Sequence, residues 1–185
     1  MSPLFAPIFG PCSIFGHCIH LAESEVAALA SSGSIAAFCP TSNLFLGSGL
    51  FDKQRLDTAG VRVALATDVG GGTSTSYSML TTAAEGYKVL QMGGQSWPAT
   101  QAFYAMTLGN ARALSLQDRI GALEPGREAD LVVLDAHATP AMAHRMESHE
   151  GDLEEELFVI MTMGDDRAVR ETYVAGRKAK RWGNI

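Results

Sequence analysis

The sequence lacks an apolar run approaching the roughly 18 residues that a membrane helix needs. Its opening segment also lacks the basic start that is typical of a secretory signal. Acidic residues outnumber basic ones by 20 to 14, and the chief basic cluster is confined to residues 176–181. These absences predict a cytoplasmic protein that binds neither membranes nor nucleic acids.

Cysteine is scarce, and the three thiols of the chain belong to Cys12, Cys18 and Cys39. They lie in or beside apolar runs, and no C-x-x-C spacing indicates a zinc or redox site. We therefore expect three reduced, mostly buried thiols with a structural role. The remaining composition, with 46% apolar and 18% charged residues, is typical of a soluble globular chain.

Several catalytic signatures are also absent. The sequence has no G-x-S-x-G nucleophile elbow, which argues against a serine hydrolase. The glycines at 70–72 precede T-S-T-S, so a phosphate cradle stays an alternative although no G-x-G-x-x-G or Gly-Lys-Ser/Thr is present. His137, His144 and His149 lack the tight spacing of H-E-x-x-H, and we expect them at the surface.

The first half of the chain alternates predicted strands with predicted helices. We expect helices at 23–32, at 51–59 and from about Ser78 to Met92, and a loop at 44–49. The intervening apolar runs are nearly continuous, as in a parallel sheet whose two faces are both covered. These runs predict strands at 13–16, 34–39 and 61–67.

Polar residues follow these strands directly, and His17 and Asp68 are the most informative of them. Active sites of (β/α) barrels and open α/β sheets lie at the carboxyl ends of parallel strands. Two other interpretations remain open, because Asp68 can cap the glycine turn and His17 can be a hydrogen-bonded structural residue. His17 and His20 should point to opposite sides, with His17 inward.

The second half predicts two short helices at 97–108 and 109–116, a strand at 131–135 and a helix at 152–163. The acids of residues 152–156 stand in the first helical turn, as the helix dipole favours. Residues 136–140 are rich in turn formers, and two further strands, 169–174 and 177–180, predict a hairpin.

Six stretches together resemble the C-terminal portion of the guanine deaminases, in the amidohydrolase superfamily. The stretches are GHCIHL (16–21), FCPTSNLFLGSGLF (38–51), TDVGGGT (67–73), YKVLQ (87–91), ALEPGREADLVVLD (122–135) and LFVIMTMGDDR (157–167). The resemblance implies an α/β fold: a partial (β/α) barrel of about three βα units over residues 1–118. Residues 119–185 would form the trailing part of a small composite β-rich domain with a helix.

The resemblance also implies a chemistry, the zinc-dependent hydrolysis of guanine to xanthine and ammonia. Asp68 would be a zinc ligand that also takes a proton from the attacking water, and His17 would orient that water. Both are thus the candidate catalytic residues. His20, Ser42 and Asn43 lie near the same end of the predicted barrel, and the resemblance gives them no role.

The family pattern also requires an H-x-H pair, a further histidine and a proton-shuttling glutamate, for which the sequence offers no match. We therefore expect a truncated chain that binds a purine only if its site is completed and is inactive alone. Unpaired strand edges at 13–17 and 61–67 favour a homo-oligomer formed by strand or helix exchange. The alternatives are a non-catalytic, self-associating remnant and a new hydrolase whose site another chain completes.

Overall fold

The computed structural model describes residues 8–70, 73–74 and 76–179. It divides the chain into two compact units, Met1–Trp97 and Pro98–Ile185. The expected boundary between residues 118 and 119 separates two family domains and stays a prediction. Within the described ranges, no helix is both long and apolar enough to cross a membrane.

The first unit contains a parallel sheet of three strands. They are β1 (Ile14–Gly16), β2 (Ile35–Phe38) and β3 (Arg62–Leu65), in the order β1-β2-β3. Both pairs are parallel, with Ile14 opposite Ile35 and Ile35 opposite Arg62. The parallel pairing predicted from the continuous apolar runs is confirmed.

Four helices of the described residues alternate with or follow these strands along the chain. They are α1 (Glu23–Ser32), α2 (Pro40–Leu46), α3 (Lys53–Thr58) and α4 (Met79–Met92). The start of α4 is fixed by Ser78, whose hydroxyl accepts a hydrogen bond from the Thr81 amide. Three of the helices match the predictions. Helix α2 was not predicted as a helix, and the expected loop at 44–49 is wrong for its first residues.

Aromatic stacking organises the core of the first unit. All four residues of β2, the central strand, are buried, as in a parallel sheet that is covered on both faces. The Phe38 ring stacks on Phe51 at 4.5 Å between centroids and lies 6.4 Å from Trp97. Gly86 of α4 leaves room for these rings, since a Cβ there would come within 2.9 Å of Trp97.

The second unit combines short helices with an antiparallel sheet. Its elements are α5 (Ala99–Tyr104), a π-helical turn (Ala105–Gly109), α6 (Asn110–Ala113), β4 (Leu131–Leu134), α7 (Pro140–Met146), α8 (Leu153–Met163), a 3-10 turn (Asp166–Ala168), β5 (Val169–Val174) and β6 (Arg177–Lys178). The sheet order is β4-β5-β6. The predicted hairpin is confirmed over the described residues, which exclude Lys180.

Two helical predictions in this unit need correction. The expected break between residues 108 and 109 is instead a π-helical turn, so helical backbone runs from Ala99 to Ala113. Helix α7 was not predicted. The Thr139 hydroxyl accepts from the Met142 amide at 3.2 Å and Pro140 fills the first turn, which is a favourable helix start.

Candidate metal centre

Three side chains from three neighbouring strand ends meet at one edge of the parallel sheet. His17 follows β1, Cys39 follows β2, and Asp68 comes three residues after β3. One ligand atom from each lies within 4.8 Å of the other two. The pairing continues past the strands, because the His17 amide donates to the Ala37 carbonyl at 3.0 Å. The parallel register therefore brings together residues that are far apart in sequence.

The backbone at these strand ends adopts an unusual conformation. His17, Cys18 and Asp68 have φ angles of 70°, 51° and 50°, in the left-handed region that non-glycine residues rarely occupy. Such positions cost about 1–3 kcal/mol each and concentrate at active sites and ligand clamps. The strain at His17 and Asp68 thus marks this edge of the sheet as a candidate functional site.

The two residues predicted as catalytic lie side by side. His17 Nε2 and Asp68 Oδ2 are 3.8 Å apart, and their side chains are 45% and 40% exposed. They are therefore open to water or a ligand. The capping alternative for Asp68 involves the glycine loop, of which Gly71 and Gly72 lie outside the described residues. The catalytic roles of His17 and Asp68 stay predictions.

A buried amide supports the histidine from behind. His17 Nδ1 lies 2.7 Å from Asn43 Oδ1, and Asn43 is 1% exposed. Sequence reasoning placed Asn43 near the mouth without a role, because this contact spans 26 residues. His20 lies outside the cluster, with its Nε2 2.8 Å from the Ser48 carbonyl.

Cys39 is the cluster member that the sequence did not reveal. The residue is buried, and burial raises the pKa of its thiol, as does the Asp68 charge, while a hydrogen bond from the His17 backbone lowers it. Its position at a strand end was the available signal. The expectation of mostly buried thiols is wrong for Cys12, which is exposed, whereas Cys18 is half-buried with a pKa raised to about 11, chiefly by burial.

The donor atoms of His17 and Asp68 have a chemistry and a spacing that suit a zinc ion. Imidazole nitrogen, thiolate sulfur and carboxylate oxygen are its usual protein ligands, at about 2.0–2.3 Å. Two ligands of one tetrahedral ion then stand about 3.3–3.8 Å apart. The 3.8 Å between His17 Nε2 and Asp68 Oδ2 agrees with that spacing. By contrast, His137 and His144 are exposed, as predicted, whereas His149 is half-buried.

The sequence matches the amidohydrolase family over residues 6–179, and the chain belongs to that family. It is 48% identical over 168 residues to the guanine deaminase of Escherichia coli strain K12. That match covers 91% of the chain and 38% of the relative. The chain therefore spans less than two fifths of the length of this relative.

Solved structures support the same relationship. An E. coli guanine deaminase structure aligns with a TM-score of 0.90 at 45% identity, over 95% of this chain and 40% of that one. An adenosine deaminase from Xanthomonas campestris with bound zinc aligns with a TM-score of 0.77 at 27% identity, over 93% and 38%. The described chain is thus an α/β chain whose structural neighbours have the amidohydrolase fold.

Proposed function

We propose that this chain carries the Asp68 side of a zinc-dependent guanine deaminase centre. The observation that supports the proposal most directly is the approach of His17 Nε2 to Asp68 Oδ2, 3.8 Å apart at the carboxyl ends of parallel strands. Similarity to a guanine deaminase over 91% of the chain favours guanine as the substrate. The zinc in the adenosine deaminase neighbour favours the metal.

In this proposal the residues of this chain bind the metal, accept a proton and orient the attacking water. Asp68 is the metal ligand, and its carboxylate lies within 4.8 Å of the donor atoms of His17 and Cys39. Bound zinc would lower the pKa of its water to about 7 and so supply a nucleophile at neutral pH. The Asp68 carboxylate takes a proton from the attacking water, and the proton for the departing ammonia would come from the family's glutamate, for which this sequence offers no match. His17 Nε2 orients that water by a hydrogen bond.

The fold proposal is equally specific. We propose that residues 1–118 are about three terminal βα units of an amidohydrolase barrel, and residues 119–185 the trailing part of its β-rich domain. The parallel strands β1 to β3 and the antiparallel strands β4 to β6 agree with this arrangement. A catalytic zinc takes three protein ligands. Since the family's H-x-H pair has no counterpart in this sequence, we expect no turnover from this chain alone.

A segment exchange tests the proposal. The matching 168-residue segment of E. coli guanine deaminase is replaced by the corresponding residues of this chain. The chimera should bind one zinc per protein and convert guanine to xanthine, followed by absorbance, while the chain alone should not. A folded, zinc-loaded chimera without turnover would contradict the proposed role of His17 and Asp68.

A second candidate function is non-catalytic self-association. In the sheet that the structure describes, β1 and β3 are the outer strands, each paired on one side. Outer strands with an open edge readily pair with another chain. We propose a homo-oligomer formed by exchange of strands or helices. Light scattering in dilute solution should find more than one chain per particle, and a stable folded monomer would argue against it.

A further inference from the structure

We propose that Asn43 is a positioning residue that keeps His17 in the tautomer with hydrogen on Nδ1. The Asn43 Oδ1 atom lies 2.7 Å from His17 Nδ1. A carboxamide oxygen only accepts hydrogen bonds, so the ring nitrogen facing it must donate. Nε2 of the neutral ring is then an unprotonated acceptor. The catalytic consequence rests on the proposed deaminase function, whereas the tautomer itself does not.

Asn43 is held rigidly enough to impose this choice. Its backbone amide donates to the Cys39 carbonyl at 3.0 Å, and its carbonyl accepts from the Ser48 amide at 2.9 Å. Helix α2 ends at Leu46, and Gly47 caps it in the left-handed conformation, which fixes the last turn around Asn43. The side chain is buried, so exchanging His17 for water as its partner would require opening this turn.

The opposite side of the ring gives this tautomer its chemical meaning. Nε2 faces Asp68 Oδ2 at 3.8 Å, which exceeds a normal hydrogen bond. With hydrogen on Nδ1, both facing atoms are acceptors, and the space between them suits a cation or a hydrogen-bond donor such as water. With hydrogen on Nε2, the ring would instead present a donor there. Asn43 therefore decides whether His17 can accept a proton at the candidate centre.

The orientation of the Asn43 amide makes the inference falsifiable. In the described residues, Asn43 Nδ2 is buried without a hydrogen-bond partner, so the contact to His17 is the one that orients this side chain. A reversed amide would turn its NH₂ group toward Nδ1 and force the hydrogen onto Nε2. The two orientations thus predict opposite tautomers.

The primary test is a long-range ¹H–¹⁵N correlation spectrum of the whole chain, recorded where histidine is neutral. The His17 signals are assigned by their loss in His17→Gln. Unaltered protein should show Nδ1–H and bare Nε2. Asn43→Ala should shift the ring toward Nε2–H, and Asn43→Asp, which keeps an acceptor oxygen, should restore Nδ1–H. Ser42→Ala is the matched control, because Ser42 is equally buried on α2 and its hydroxyl has no partner in the described residues.

An Nε2–H signal in the unaltered protein would overturn the inference, whatever the Asn43 variants do. Retention of Nδ1–H in a folded Asn43→Ala protein would overturn it too. In the chimera, loss of a residue that orients a catalytic histidine should lower kcat about 10–100-fold, as for partners of metal-ligating histidines. An inactive chimera with the expected tautomer would reject the deaminase function and leave the positioning role of Asn43 standing.

Discussion

Each unit of the protein has an aspartate just after a strand, and the two aspartates differ in what they face. In the first unit, Asp68 lies beside His17 Nε2 at 3.8 Å and is 40% exposed. In the second, Asp135 accepts a hydrogen bond from Arg170 Nε at 2.7 Å and from the His137 amide at 2.7 Å. These contacts hold the pKa of Asp135 below its ordinary value. Asp135 is therefore a structural residue, because a guanidinium pairs with its carboxylate. Asp68 is a candidate catalytic residue, because its carboxylate faces a histidine nitrogen that can itself be an acceptor.

The sheets of the two units also differ in how deeply their side chains are buried. Strand β2 is buried along its whole length, as expected for a parallel strand covered on both faces. In β4, Val132 is 51% exposed and Val133 is 41% exposed. The first unit thus buries its central strand, whereas the second presents part of its sheet on the surface of that unit.

The largest expected effect separates the two aspartates. In the guanine deaminase chimera, Asp68→Asn should lower kcat about 10²–10⁴-fold, the usual contribution of a general acid or base. It should also lower the zinc content, because a charged ligand is lost. Asp135→Asn is the matched control and should leave kcat nearly unchanged. Equal losses in both variants would remove the proposed distinction between the two sites.

The sheets of the two units should also differ in how much stability they lose when a side chain is truncated. Phe38→Ala removes a ring that stacks on Phe51 and lies 6.4 Å from the Trp97 ring. The free energy of unfolding should therefore fall by about 3–5 kcal/mol. Val132→Ala, at an exposed position of β4, should change it by less than about 0.5 kcal/mol. Urea denaturation of both variants measures the difference. A small loss for Phe38→Ala would mean that the core of the first unit repacks easily.

Sequence reasoning identified the strands of the first unit because each is a continuous apolar run ending at a polar residue. It also placed His17 and Asp68 at the carboxyl ends of parallel strands, which share one edge of a sheet. The place of Cys39 was missed, since a cysteine beside an apolar run is usually a buried thiol. Cys39 was placed at the end of the second predicted strand, as His17 and Asp68 were at the ends of theirs, but this position was not used to assign it to the site.

Other features could not be predicted from local sequence. The contact of Asn43 with His17 spans 26 residues and depends on where α2 places the amide. Helix α2 itself contains residues that are typical of a turn, Pro40, Ser42 and Asn43. The left-handed backbone of His17 and Asp68 is likewise set by the surrounding fold, because histidine and aspartate adopt this conformation more readily than most residues but do not require it.

A smaller effect is expected at the start of α8, where the second unit does resemble the first. The Asp152 carboxylate accepts from the Glu154 and Glu155 amides at 3.1 and 3.3 Å, much as Ser78 caps α4. Asp152→Ala should lower the free energy of unfolding by about 1 kcal/mol. Asp152→Asn keeps an acceptor and should be nearly neutral. If Asp152→Asn costs as much as Asp152→Ala in chemical denaturation, charge rather than capping would explain the effect.

The smallest effect is expected at a surface ion pair of the second unit, between Asp165 and Arg167. Hydrogen bonds from the Arg167 side chain and amide lower the pKa of Asp165 to about 2 from the ordinary 3.8. Because the folded pKa is the lower one, this contribution to stability is complete above about pH 4 and is lost as the pH falls through about 2. Asp165→Asn should therefore lower the thermal midpoint slightly at about pH 5, and the difference from the unaltered protein should close toward about pH 2. A difference that persists at the acid end would show that the Asp165 side chain acts through its shape at the 3-10 turn and not through its charge.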